Sequence, residues 1–532
     1  MLVDPPMMNK NSNRSRFATG LLPAILLLPF STLSALPAFP GAEGFGAAAT
    51  GGRRNPGLPQ IVCHVTTLND DGPGSFRDAI SAPGRVIVFD VGGYIHIGKR
   101  LHVPDNTTIA GETAPGDGIC FKDEEVDLTG SRNIIIRNVR FRQGTDYGHI
   151  HQYSVGAAGA DIILDHCSIE WGRWDCIGLT NGTDITFQSC IIGEGLDPQR
   201  FGALVYSGNI TFKGCLWINN HGGNPKGCGK IQYINNVAYN WQIGGYDLGH
   251  SKAETWHDIV GNYSISGPVT GRHSFFYGIN SLCHVYQAGN FFDGNCDGVL
   301  NGSPITIEGV DNLAAPWSVT PVPVKASTAR IAYKMAVSDV GAYPTRRDAI
   351  DTRLISDLQS LGTRGRLANL VQDAGGWVPL KSGAAWADSD HDGLPNFWER
   401  AFPPGTTTGL NASGIAPSGY TNLEEYLHWL SSPSAAVGAW QGKAGPSVDI
   451  DLNRYTSGFK PPLTYAISSG PRHGATNFVP ETSDVATTSS HIVRFAPALR
   501  YAGLDGFEFI CTDADGDTFL RRVSVLVTPG LH

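Results

Sequence analysis

Apolar residues in the first 300 positions come in short bursts rather than at helical spacing. The clearest are Ile134-Ile135-Ile136, Ile162-Ile163-Leu164, Ile185-Thr186-Phe187, Ile210-Thr211-Phe212 and Ile231-Gln232-Tyr233. Three residues beyond each burst stand Val139, Cys167, Cys190, Cys215 and Asn236, and weaker copies end at Asn262 and Asn290. Successive spacings are 28, 23, 25, 21, 26 and 28 residues. A short strand recurring at such intervals predicts one coil of a right-handed parallel β-helix, each strand stacking on its counterpart one coil away. The variable remainders are loops. A repeated position then forms a column, here cysteines running into asparagines, whose amides can satisfy one another and the turn backbone. The cysteines read as small buried packing residues or as disulfide partners within the column.

After about residue 315 the repeat stops. Thr345 to Leu361 carries Ile350, Leu354, Ile355 and Leu358 on one helical face and predicts an amphipathic helix. From Pro433 onward, short strands, Gly/Pro turns and the alternating run Val523 to Val527 predict an immunoglobulin-like β-sandwich. The expected class is therefore all-β, divided as an export signal (1–35), a β-helix (36–315), a wrap with one amphipathic helix (316–381), a small calcium-loop unit (382–430) and the sandwich (431–532).

The export signal rests on Lys10, Arg14 and Arg16 ahead of the apolar run Leu21 to Phe30, with small residues from Ser31 to Ala35. The run is short for a membrane span, so a secreted or cell-surface monomer without membrane contact is expected. Net charge is −9 with both signs scattered, which excludes a basic surface for nucleic acid. The small unit carries Asp388, Asp390 and Asp392, then Gly393 and, at loop position twelve, Glu399. Alternate carboxylates converge on one cation, and Gly makes the sharp turn, as in an EF-hand-like Ca2+ loop.

Several segments together carry a resemblance. They are Phe39-Pro40-Gly41-Ala42-Glu43-Gly44-Phe45-Gly46, Gly72-Pro73-Gly74-Ser75-Phe76-Arg77-Asp78-Ala79, Thr108-Ile109-Ala110-Gly111-Glu112-Thr113-Ala114-Pro115-Gly116 and Asp165-His166-Cys167-Ser168. In this order, over about residues 39 to 360, the chain resembles secreted bacterial pectate lyases of polysaccharide lyase family one. The resemblance implies calcium-assisted β-elimination on an acidic polysaccharide such as pectate, with an arginine as the base. It also implies a groove calcium ion bound by acids.

Carried over position by position, the resemblance departs at the chemistry. Gln152 stands at a family aspartate, and Trp174-Asp175-Cys176 keeps one acid of a pair. His221-Gly222-Gly223-Asn224-Pro225-Lys226 places Gly223 at the expected arginine. Lys226 or Arg200 is then the candidate base. Asp175, Trp174 and His221 are candidate substrate contacts, and Asp175, Asp146 and Glu194 candidate ligands of a groove calcium. Trp171, Trp174 and Trp217 serve sugar stacking or the core, and Asp165 and His166 structure or catalysis. Three classes are open: a pectate lyase-like polysaccharide lyase, a glycan-binding or adhesive β-helix protein that has lost turnover, and a β-helix hydrolase. The repeat strands lack the Asn-Thr-Asp, Asp-Asp and Gly-His-Gly elements that the last would need.

Overall fold

The computed structural model describes residues 36–53, 60–145, 152–271, 274–402, 410–439, 447–480 and 490–529. The export segment and Asp146 lie outside these residues.

The bursts are strands. Arg132–Arg137, Ala160–Asp165, Asp175–Gln188, Phe201–Lys213, Lys226–Ile234, Thr255–Val260 and Cys283–Ala288 follow one another in parallel within a 16-stranded sheet. A second, 10-stranded sheet is built from short strands such as Arg140–Arg142, Ser168–Glu170, Ile191–Gly193 and Leu216–Ile218. Each coil contributes to both. Pairing is in register, so Ile134, Ile162, Ile185, Ile210 and Ile231 form one interior column. The column continues through His257, held neutral because burial pulls its pKa down to about 4, to Val285. Phe187 and Phe212 stack at 5.3 Å beside it.

Between the two sheets each coil turns through a single left-handed residue. Asn138, His166, Ser189, Gly214, Asn235 and Gly261 occupy equivalent corners, all with φ between 50° and 66°. Asn, Gly and His tolerate this conformation better than other residues. The next residue is the repeated one. Asn262 Oδ1 accepts the Asn236 backbone N–H at 2.7 Å, and its Nδ2 donates to the Tyr233 carbonyl at 2.8 Å. Asn290 repeats this one coil on. In the upstream coils Cys167, Cys190 and Cys215 fill the same place, buried and free, with thiols directed at backbone carbonyls.

The segment 316–381 holds two helices where periodicity predicts one. Ala349–Gln359 buries Ile350, Leu354, Ile355 and Leu358 as expected. Ala329–Asp339 escapes notice because the helically spaced apolar residues of its buried face, Ala329, Ala332, Tyr333, Ala336 and Val337, are mostly alanine, and Lys334 and Ser338 are buried with them. Both pack on the outer face of the 10-stranded sheet against Leu216, Ile218, Val237, Tyr239 and Tyr263. Asp348 caps the second helix and also pairs with Arg142, while Arg142 further engages Glu170 and Asp351 at 2.7 Å each. Lys334 enters a nest of Asp513, Asp515 and Asp517. Those acids belong to the last segment, where a four-stranded and a three-stranded sheet close over a shared core including Val493, Phe495, Phe509 and Val525.

Asn262→Leu should destabilise the full chain by roughly 2–4 kcal/mol in chemical denaturation, because the Asn236 N–H and the Tyr233 carbonyl lose their buried partner. A change within about 0.5 kcal/mol would show that the amide column is dispensable.

Candidate active-site groove

The sheet's register assembles a surface no local motif encodes. His102, Asp127, Gly156, Gly178, Leu204, Lys226, Asp247 and Tyr277 are successive partners across eight strands, so their Cα–Cβ directions share one face. The residues one step before them, Leu101, Val126, Val155, Ile177 and Ala203, point into the core. At the middle of the column the two glycines leave room. A Cβ on Gly156 would lie 2.2 Å from Glu125 Oε1, and one on Gly178 would lie 2.3 Å from the Tyr153 ring. Glu125 and Tyr153 therefore lie over the sheet.

Asp175 opens the long strand Asp175–Gln188 and is Phe201's neighbour across the sheet. It is fully buried. Oδ1 accepts from Gln199 Nε2 at 3.2 Å, and Oδ2 has no hydrogen-bond partner. Burial pushes its carboxyl up to about 7, against the pull of the Gln199 amide and the Lys226 charge. Glu125 is likewise pushed to about 7 by burial, offset in part by Arg100, whose Nη2 donates to it at 3.0 Å. Asp247, beside Lys226, is raised by burial too. The groove thus holds three desolvated acids and an ammonium. It suits a cation, or an anionic group arriving with one.

Lys226 lies in this groove, its Nζ 5.8 Å from the centre of the Phe201 ring. Gly223 has φ +61°, and a Cβ there would come 3.1 Å from the Phe201 side chain, so a larger residue would meet both strain and that ring. His221 stands beside it, with Nδ1 3.4 Å from the Gln199 carbonyl and its ring against Phe201. Trp174 is half-buried, its backbone N–H donating to the Gln152 carbonyl.

Other candidates are engaged elsewhere. Arg200 donates to Asn369 at 2.8 Å and pairs with Asp197 at 3.3 Å, on the wrapping segment's side. Glu194 corrects the expectation of a groove ligand. Both its oxygens take Arg353 at 2.7 Å, and Oε2 also takes Trp171, under the helix Ala349–Gln359. Trp171 and Trp217 are fully buried core residues. Asp165 binds Arg137 and Gln188, and His166 lies between Asp165 and Asp339, tying the corner to the helix Ala329–Asp339. Glu125, Tyr153 and Asp247 were missed by sequence reasoning. The acid run Asp123-Glu124-Glu125 was the one visible signal.

In the small unit Asp388, Asp390 and Asp392 bring ligand oxygens within 4.8 Å of one another. Gly393 makes the turn at φ +90°. Burial and neighbouring acids hold Asp388, Asp392 and Glu399 above the ordinary carboxyl range. Glu399 stands apart from the trio, its Oε1 accepting the Leu410 N–H at 3.2 Å. A second trio, Asp513, Asp515 and Asp517, already holds the Lys334 ammonium.

A parallel solenoid with acids and a lysine in one row on its longest sheet defines a parallel β-helix protein. No family model matches the chain. Probable pectate lyase C of Aspergillus flavus is 37% identical over 432 residues, spanning 79% of this chain and all of that protein. The protein of the same description from Neosartorya fischeri is 38% identical over 76% of this chain and 97% of its own length, and that of Emericella nidulans 36% over 76% and 96%. The crystal structure of jun a 1, the major allergen from cedar pollen, is 13% identical, with a TM-score of 0.42 over 56% of this chain and 92% of its own. The chain belongs to the pectate lyase family.

Calcium at about a hundred times its dissociation constant for the Asp388 loop should raise unfolding stability by about 2–3 kcal/mol. Calorimetry with calcium and with chelator checks this. Asp390→Asn should abolish most of the shift; a shift of the same size in the variant would place the responsible ion elsewhere.

Proposed function

We propose that the protein is a polysaccharide lyase that cleaves polygalacturonate or a related uronan by calcium-assisted β-elimination, with Lys226 as the base. The observation that carries this reading is the buried Asp175 carboxylate, with one oxygen unbonded, within reach of the Lys226 charge. That orphaned oxygen fits a calcium ligand, and Asp175 would hold the ion together with substrate oxygens. Bound there, calcium would supply the Lewis acidity that makes the proton next to a uronate carboxylate easier to remove.

The chain's own residues do the rest. Lys226, as the neutral amine, takes the C5 proton. The electron pair of the C5–H bond becomes the C4–C5 double bond, the C4–O bond breaks, and the leaving oxygen takes a proton from solvent. Asp127, Arg100 and His102 extend the groove for neighbouring sugars. Trp174 and His221 border it as surfaces against which a sugar ring can lie. Arg200, drawn toward Asp197 and Asn369, serves the groove's edge rather than the proton.

The same reading makes the Asp388 loop an EF-hand-like calcium clip and the last segment an immunoglobulin-like module. It also has the chain act outside the cell as a monomer after loss of residues 1–35. No helix among the described residues is long and apolar enough to cross a membrane.

The test is ultraviolet absorbance of the unsaturated product from polygalacturonate, with calcium and with chelator. Lys226→Ala should lower the rate about 10²- to 10⁴-fold while polymer retention persists. A rate untouched by Lys226→Ala would move the base elsewhere. Retention without turnover by the unaltered chain would favour the glycan-binding alternative, for which Gly223 at the family's arginine position speaks.

A further inference from the structure

Away from the groove lies a cavity of about 400 Å³, where the first coils, the helical wrap, the small unit and the last segment meet. That volume falls in the range of about 300–1,000 Å³ usual for small-ligand sites. Its polar lining is left unfinished. Glu112 is 4% exposed, and neither carboxylate oxygen has a hydrogen-bond partner. Its nearest cation, Arg137, stands 3.8 Å away, with Nη1 also unbonded. Asn138, equally buried, has an unpartnered Oδ1, and the Ser431 hydroxyl turns toward Glu112 without closing a full hydrogen bond. At the mouth, Trp386 is 66% exposed, its indole braced at 4.9 Å against Phe397. Buried polar atoms are nearly always paired, so their gathering at one cavity calls for a ligand.

The donor and acceptor pattern selects among ligands. A metal ion would find one carboxylate with an arginine behind it. A uronate would meet the Glu112 carboxylate, and the cations on the cavity wall are engaged: Arg521 is paired with Asp339 and Arg346 is held by the Gly116 carbonyl, while Arg137 lies behind Glu112, outside the lining. A hydroxyl can donate to Glu112 or Asn138 and accept from Ser431. Several hydroxyls on one ring, with an apolar ring face for the indole, are the mark of a neutral sugar.

We propose that this cavity is a second saccharide site, which binds a neutral pyranoside through Glu112, Asn138 and Ser431 and stacks it on Trp386. It deepens the proposed function. The groove would hold the acidic backbone of a polysaccharide while this site holds an uncharged sugar branch.

The experiment is titration calorimetry of the full chain in calcium with galactobiose and cellobiose as neutral probes and digalacturonate as the acidic one. At least one neutral disaccharide should bind with saturation. Trp386→Ala, at an exposed position, should weaken that binding ~tenfold, as loss of one stacking contact implies, with turnover of polygalacturonate unchanged. Glu112→Gln should weaken it as well. Saturation by neither neutral probe overturns the site. Neutral binding that survives Trp386→Ala but is lost in Lys226→Ala also overturns it, because the sugar would then occupy the groove. Loss of uronan turnover in the unaltered chain strikes the lyase reading alone, since the calorimetric signal does not depend on it.

Discussion

The structure depends on corners. A coil that crosses from one sheet to the next in a single residue must place that residue in the left-handed region, where an ordinary side chain costs about 1–2 kcal/mol. Three columns of such residues run along the solenoid. One holds Asn138, His166, Ser189, Gly214, Asn235 and Gly261; a second Trp171, Glu194, Asn219 and Asn240; a third Asn106, Asn133, Asp161, Asp184 and Asn209. Many answer their own strain with side-chain bonds between coils, such as Asn133 to Asn106 at 2.8 Å and Asn240 to Asn219 at 2.7 Å. With the corners fixed, every strand lands one rung above the last, and the groove residues fall into line.

Ionic contacts then fasten the outer layers. Arg140 and Arg142 are fully buried and point out of the 10-stranded sheet toward Asp348 and Asp351. Two arginines in such surroundings are costly unless every charge is met, and here Glu170, Asp348 and Asp351 meet them. Lys334 does the same at the other helix with three aspartates. The helices are thus located by charge as well as by apolar packing.

What the sequence disclosed follows from the range of the interaction. The period of strands and the cysteine-to-asparagine column are repeated events, so each copy supports the next, and both were legible. The Asp388 loop is contiguous and was legible as a trio of converging acids. The helix Ala329–Asp339 was not, because alanines, a tyrosine and a buried lysine make its inner face. Nor was the groove: Asp127, Lys226 and Asp247 sit 99 and 21 residues apart and join one row only through rungs whose loop lengths vary. Glu194 shows the opposite failure. It stands where a ligand was expected, but an arginine from a helix 159 residues away has taken both its oxygens.

The thiol column has a consequence for how the chain comes into being. All ten cysteines are free, and burial lifts the Cys120 thiol to about 12 and the Cys190 thiol further, so in the finished solenoid these two scarcely ionise. Since the thiolate is the reactive form, an oxidant finds these two buried sulfurs almost inert. The nascent chain offers the same sulfurs unprotected. In an oxidising compartment its maturation is a race in which each closing coil withdraws a nucleophile, and a mispaired sulfur bridge would mark a chain that closed too late.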